Sequence, residues 1–197
     1  AFLIDEIEDI GRAADPADVR PGDIAFIQYS SGSTSEPKGV VLTHANLLAN
    51  TRGATEVAGF TDQDVSLSWM PLTHDLGLIG FFIMMSANGI RLNLMPTDLF
   101  IRRPLLWTTF LSRHRATLTA SPNFGYRHYL KVLGERELTG IDLSALRLIF
   151  NGAEPISLSL CDEFMERMAP FGLARTATPR RWPAALRGTL YRVGPAR

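Results

Sequence analysis

Four stretches of the sequence carry side chains suited to phosphate and carboxylate chemistry. The first is Tyr29-Ser30-Ser31-Gly32-Ser33-Thr34-Ser35-Glu36-Pro37-Lys38-Gly39. Small side chains and Gly32 let backbone N–H groups approach an anion closely. The hydroxyls of Ser30, Ser31, Ser33 and Thr34 can donate to phosphate oxygens, and Lys38 adds positive charge. By composition alone, a plain flexible Ser/Gly loop accounts for the same run. It is not the kinase and GTPase P-loop, because Pro37 stands where the second Gly belongs and Lys38 precedes Gly39. The second stretch, Trp69 to Leu78, sets His74 beside Asp75; such a neighbour pair is also a common structural polar pair. The third, Ala120 to Tyr126, reads as a strand–turn–helix junction. The fourth, Phe150-Asn151-Gly152-Ala153-Glu154-Pro155-Ile156-Ser157, reads as a strand ending in a turn before a helix.

The elements that position these stretches alternate. Ile24–Tyr29 and Val40–Leu42 are short apolar strands, and Thr43 is placed to cap a helix through Ala45, Leu47 and Leu48. Strands follow at 65–70, 92–95, 116–121 and 146–150. Helices are expected at 76–87, 104–115 and 124–133, with Leu160, Phe164 and Met168 at helical spacing. The run Leu76–Ala87 is well short of the roughly 20 residues that span a bilayer and is expected to be a buried helix. Strands alternating with helices predict an α/β fold with parallel pairs.

The bulk properties narrow the partners. The chain has 197 residues, 46% of them hydrophobic, and carries 20 basic and 20 acidic groups. That balance gives no basis for expecting nucleic acid or an anionic membrane as partner. The single cysteine, Cys161, cannot form an internal disulfide, which fits a reducing, cytoplasmic compartment. The chain begins at Ala1 rather than Met, so its start is expected to lie inside a longer protein.

The order of residues in the first stretch resembles the signature loop of the adenylate-forming superfamily, Ser/Thr-Ser-Gly-Ser/Thr-Thr-Gly-x-Pro-Lys-Gly. This sequence matches at Ser30 to Thr34 and at Pro37 to Gly39, and departs at Ser35, where Gly is usual. The His74-Asp75-Leu76-Gly77-Leu78 and Asn151-Gly152-Ala153-Glu154-Pro155 wordings resemble fatty acyl-AMP ligases in particular. The resemblance covers about residues 23–172 and implies part of a large N-terminal domain, with mixed sheets and flanking helices. It implies formation of acyl-AMP and pyrophosphate from a fatty acid and ATP with Mg²⁺, most of whose ligands would lie outside this chain. Transfer to an acyl carrier protein, as in lipid, polyketide or lipopeptide synthesis, would follow, or transfer to CoA.

By the same resemblance, Ser30, Ser31, Gly32, Ser33, Thr34 and Lys38 would hold phosphates. Gly152, Ala153, Glu154 and Pro155 would line the adenine site, and His74 would orient the carboxylate. Thr73, Ser121, Asn123 and Phe124 would border the acyl group, in a tunnel walled by parts of 76–87 and 121–126. No protein metal ligand is expected among these residues.

The resemblance also implies a Tyr-Gly-x-x-Glu segment, a ribose-binding Asp, a hinge and a small C-terminal domain with a catalytic Lys. None occurs in these 197 residues, so this chain alone is expected to be inactive or nearly so. From Leu173 to Arg197 there are six arginines, no lysine and no acid. That composition fits a disordered basic tail or a GC-rich gene read out of frame. A reading of a different class is a truncated, non-catalytic nucleotide-binding remnant.

Overall fold

The computed structural model describes residue 15, residues 17–30 and residues 38–174. The chain divides into two units, residues 1–46 and 47–197.

In the first unit, β1 (Ile24–Ser30) and β2 (Lys38–Thr43) pair antiparallel. The β-branched and aromatic run on each strand favours this pairing. The register sets Tyr29 opposite Gly39 and Ser30 opposite Lys38. Gly39 is needed there, because a Cβ would lie 2.9 Å from Ile27 Cγ2. Helix α1 (His44–Ala58) starts as expected at Thr43. Thr43 Oγ1 accepts from Asn46 N at 3.2 Å while Asn46 Oδ1 accepts from Thr43 N at 3.0 Å. This is a reciprocal capping box with Asn in the usual Glu/Gln position.

The second unit is built on a four-stranded sheet in the order β4-β3-β5-β6, comprising β3 (Val65–Ser68), β4 (Arg91–Leu94), β5 (Leu118–Ser121) and β6 (Leu148–Asn151). Every pair in it is parallel. Parallel strands need crossovers, and helices supply them. After β3 come α2 (Asp75–Gly77), a π-helical turn (Leu78–Ile83) and α3 (Met84–Ala87). Helices α4 (Thr97–Arg102) and α5 (Leu106–Arg113) lead from β4 to β5, and α6 (Asn123–Leu133) from β5 to β6. Helix α7 (Leu158–Met168) follows β6.

Alternation along the strands fills both faces. Leu118, Ala120, Leu148 and Phe150 pack with Ala58, Phe60, Phe81, Met84 and Met85. Leu67 and Ile149 pack with Trp107, Tyr126, Tyr129, Leu133, Phe164 and Met168. Burying each such large side chain contributes about 1.5–3 kcal/mol. One polar chain runs through this core: Trp107 Nε1 donates to Thr119 Oγ1 at 3.1 Å, and Thr119 Oγ1 donates to Leu67 O at 2.8 Å.

Two sequence expectations change. The 76–87 run is helical but not a uniformly buried α-helix: its middle is π-helical, and only Gly77, Phe81, Met84 and Met85 are buried, with Phe82 exposed. One stripe faces the sheet and the rest does not. The core also runs one residue past Gly172, since Leu173 is buried among α7 and its neighbours. The rest of the arginine-rich segment, from residue 175, lies outside the described residues.

Candidate active site

Three of the four candidate stretches leave the sheet at its carboxyl edge, where open parallel sheets hold their ligands. Trp69–Asp75 follows β3, Pro122–Tyr126 follows β5, and Gly152–Pro155 follows β6. Residues as far apart in sequence as Trp69 and Pro155 are thus brought to one edge of the sheet by the order β3-β5-β6.

Two glycines make the close fit. A Cβ on Gly77 would lie 2.2 Å from the Pro71 carbonyl oxygen, so only glycine lets the 70–74 turn fold back on α2. A Cβ on Gly125 would lie 2.1 Å from Ser121 Oγ and 2.5 Å from Trp69 Cζ2. The first turn of α6 therefore rests directly on the ends of β3 and β5. Trp69 is in turn stacked on Phe100 at 3.9 Å.

His74 precedes α2 and is half-buried, with Nδ1 2.7 Å from Asp75 Oδ1. The backbone N–H of Leu76 lies 3.1 Å from His74 Nδ1 and 2.7 Å from Asp75 Oδ1. An imidazole nitrogen and a carboxylate oxygen attract at this separation only with a proton between them. We therefore assign Nδ1–H as donor to Asp75 and the carboxylate as acceptor of Leu76 N–H. Thr73 is exposed beside it.

Asn123, at 4% exposed, sits at the start of α6. Its Nδ2 donates to Pro155 O at 2.7 Å, and its Oδ1 accepts from Asn151 Nδ2 at 2.9 Å and from Ser157 N at 3.1 Å. Glu154 Oε1 accepts from Phe124 N at 3.1 Å, within the first turn of α6. Asn151 Nδ2 also reaches Cys161 Sγ at 3.1 Å. Burial pushes the Cys161 thiol up despite that hydrogen bond, as suits an inert core thiol. Ala153 adopts φ 72°, a left-handed conformation uncommon for any residue but glycine. No feature of the sequence signalled this strain or the Asn123–Asn151 pair.

An apolar cavity of about 290 Å³ opens next to these segments. Ala54 and Ala58 of α1, Leu76, Ile79, Gly80 and Met84 of the helical run after β3, and Phe150 wall it. Asp75 and Ala153 also line it, so it reaches both the β3 and the β6 stretches. Of the two wall segments expected from sequence, 76–87 contributes to it. Ser121, Asn123 and Phe124 are not among its lining residues: Ser121 is fully buried and Phe124 is exposed.

Of the phosphate-type loop, Ser31 to Pro37, including Gly32, Ser33 and Thr34, lie outside the described residues; Ser30 and Lys38 are paired in β1 and β2.

Residues 3–176 match the model of the AMP-binding enzyme family. The chain belongs to the AMP-binding enzyme family. It is 38% identical, over 160 residues, to the medium-chain fatty acid–acyl carrier protein ligase JamA of Moorena producens, covering 81% of this chain and 27% of that protein. A putative acyl-CoA synthetase of Caulobacter vibrioides is 38% identical over 179 residues, covering 89% of this chain and 30% of that one. In structure it is similar to the fatty acyl-adenylate ligase of Legionella pneumophila, solved with acyl adenylate and pyrophosphate. The TM-score is 0.75 and the identity 37%, covering 80% of this chain and 28% of that one. The chain thus spans between a quarter and a third of the length of these family members. Among the described residues, no helix is long and apolar enough to cross a membrane.

Proposed function

We propose that this chain is the nucleotide- and acyl-binding part of an ATP-dependent fatty acid adenylating ligase. The observation that carries the reading is the apolar cavity lined by both Asp75, the neighbour of His74, and the strained Ala153 at the carboxyl edge of the sheet. An aliphatic chain fits the cavity's walls of Leu, Ile, Met, Phe and Ala. A carboxylate at its mouth would meet His74, and a nucleotide would lie along Gly152 and Ala153.

In this reading a carboxylate oxygen attacks the α-phosphorus of ATP, forming the acyl–phosphate bond, and the bond to pyrophosphate breaks. Negative charge shifts onto the leaving pyrophosphate, so fixed donors and cations near it lower the barrier. By the resemblance, the loop from Ser30 through Ser31, Gly32, Ser33 and Thr34 to Lys38 would supply them. His74 Nε2 orients the carboxylate while Asp75 fixes the ring, so the reacting atoms are held rather than activated by proton transfer. Mg²⁺ is implied by the resemblance. Among the described residues no three His, Cys, Asp or Glu side chains cluster to hold a metal.

Similarity to JamA and to the Legionella ligase supports a fatty acid substrate and an acyl carrier protein acceptor. CoA is the second reading, favoured by the Caulobacter relative. The buried free thiol of Cys161 suits a cytoplasmic setting. The test is to incubate the full-length protein with ATP and a fatty acid, adding either a phosphopantetheinylated carrier protein or CoA. Thioester on the carrier supports the first reading and acyl-CoA the second. Neither product, with no acyl-AMP, rejects both.

A further inference from the structure

Two side chains that sequence comparison alone would put against ligands are instead occupied with each other's segments. Asn123, on α6, is buried and uses both ends of its carboxamide on the 151–157 turn. Of its two donor hydrogens and its acceptor oxygen, one hydrogen holds Pro155 O and the oxygen takes Ser157 N and Asn151 Nδ2. Glu154 returns the contact, because its carboxylate accepts the Phe124 N–H, one of the orphan donors of the first turn of α6. Between these bonds stands Ala153 at φ 72°, a conformation that persists only where the surroundings over-determine it. Asn151 extends the fastening to Cys161 on α7.

We infer that Asn123 and Glu154 form a reciprocal clasp: they are positioning residues that hold the Ala153 turn in its ligand-facing shape and contact neither substrate. The inference rests on the reading that Gly152 and Ala153 face the nucleotide. The clasp ties that turn to the start of α6. Its loss therefore weakens nucleotide binding even though neither side chain reaches the nucleotide, and acyl binding in the cavity walled by α1 and residues 76–84 is spared.

The test uses Asn123→Ala, Glu154→Ala and Glu154→Gln in the full-length protein. Fatty-acid-dependent exchange of pyrophosphate into ATP gives kcat and KM for each substrate, and hydrogen–deuterium exchange reads the amides of Phe124 and Ser157. In N123A the KM for ATP is expected to rise about tenfold, the fatty acid KM to move less than about twofold, and the Ser157 amide to exchange faster. E154A should raise the ATP KM about threefold and deprotect Phe124; E154Q, whose amide oxygen still accepts from Phe124 N–H, should restore both. If E154Q is as impaired as E154A, the carboxylate charge acts on ligand directly and the clasp is overturned. A larger change in fatty acid KM than in ATP KM for N123A overturns it equally, since Asn123 would then border the acyl group. Should N123A not fold, the E154A/E154Q pair decides. A wild-type protein with no exchange activity counts against the proposed reaction. In that case unchanged amide protection in the variants would count against the clasp, and increased exchange would support it.

Discussion

Arg147 grips Asp64 with two nitrogens, Nη2 on Oδ2 at 2.5 Å and Nε on Oδ1 at 2.7 Å. Thr117 Oγ1 adds a third bond to the same carboxylate at 2.6 Å, and Arg147 also reaches the carbonyls of Ala58 and Gly59. Asp64, Thr117 and Arg147 immediately precede β3, β5 and β6, so this cluster fastens the amino edge of the same three strands whose carboxyl ends carry the site. The cluster thus holds the sheet together at the edge opposite the candidate site.

Removing Arg147 leaves a buried carboxylate without its counter-charge, since Asp64 is 4% exposed. Arg147→Ala is expected to cost about 3 kcal/mol in urea unfolding, while KM values at the far edge change little. Burial alone would raise the Asp64 pKa. Hydrogen bonds from Arg147, Thr117 and the Thr61 backbone, with the charge of Arg147, more than offset it and hold the carboxyl below its ordinary 3.8. A folded pKa below the unfolded one means this stabilisation is complete above the unfolded value and is lost as pH falls through the folded one. The wild type should therefore lose stability below about pH 4 more steeply than Asp64→Asn, measured by thermal unfolding against pH.

Gly125 has no room for a methyl group, with Ser121 Oγ and Trp69 both closer than 3 Å to the Cβ position. Gly125→Ala should destabilise by about 2 kcal/mol or more, because α6 must lift off the ends of β3 and β5. The same displacement would disturb Asn123, so KM for ATP should rise along with the loss in Tm.

Lys38 and His74 are expected to separate by substrate. Lys38→Ala should slow adenylation more than it weakens fatty acid binding; equal losses in both would argue against a phosphate role. His74→Ala should lower kcat/KM for the fatty acid by at least about tenfold, and Asp75→Asn by less, since it removes only the ring's orientation. Single-turnover rates with equilibrium fatty acid binding distinguish these effects.

Ala54 lines the cavity together with Ile79 and Met84. Ala54→Phe should fill much of the roughly 290 Å³ and shorten the accepted chain. The activity ratio of a short to a long fatty acid is expected to rise about tenfold. An unchanged ratio would place the acyl chain elsewhere.

Much of the fold was legible because apolar runs bounded by Pro, Gly and polar residues mark parallel strands and their crossover helices directly. Thr43 could be read as a cap for the same reason. The convergence of His74 and Ala153 on one edge was not in any spacing, since it follows from strand order. The π-turn at Leu78–Ile83 escaped because its apolar residues satisfy an α pattern equally well. The bonds of Asn123 and Glu154 escaped because the direction of a side chain at a strand–helix junction depends on the facing turn, 30 residues away in the chain.

The most direct measurement is pyrophosphate exchange into ATP by the full-length protein, with and without a medium-chain fatty acid, combined with mass detection of acyl-AMP. The account predicts exchange that depends on the fatty acid and an acyl-AMP product of the matching chain length. Nucleotide binding without fatty-acid-dependent exchange or acyl-AMP would contradict it.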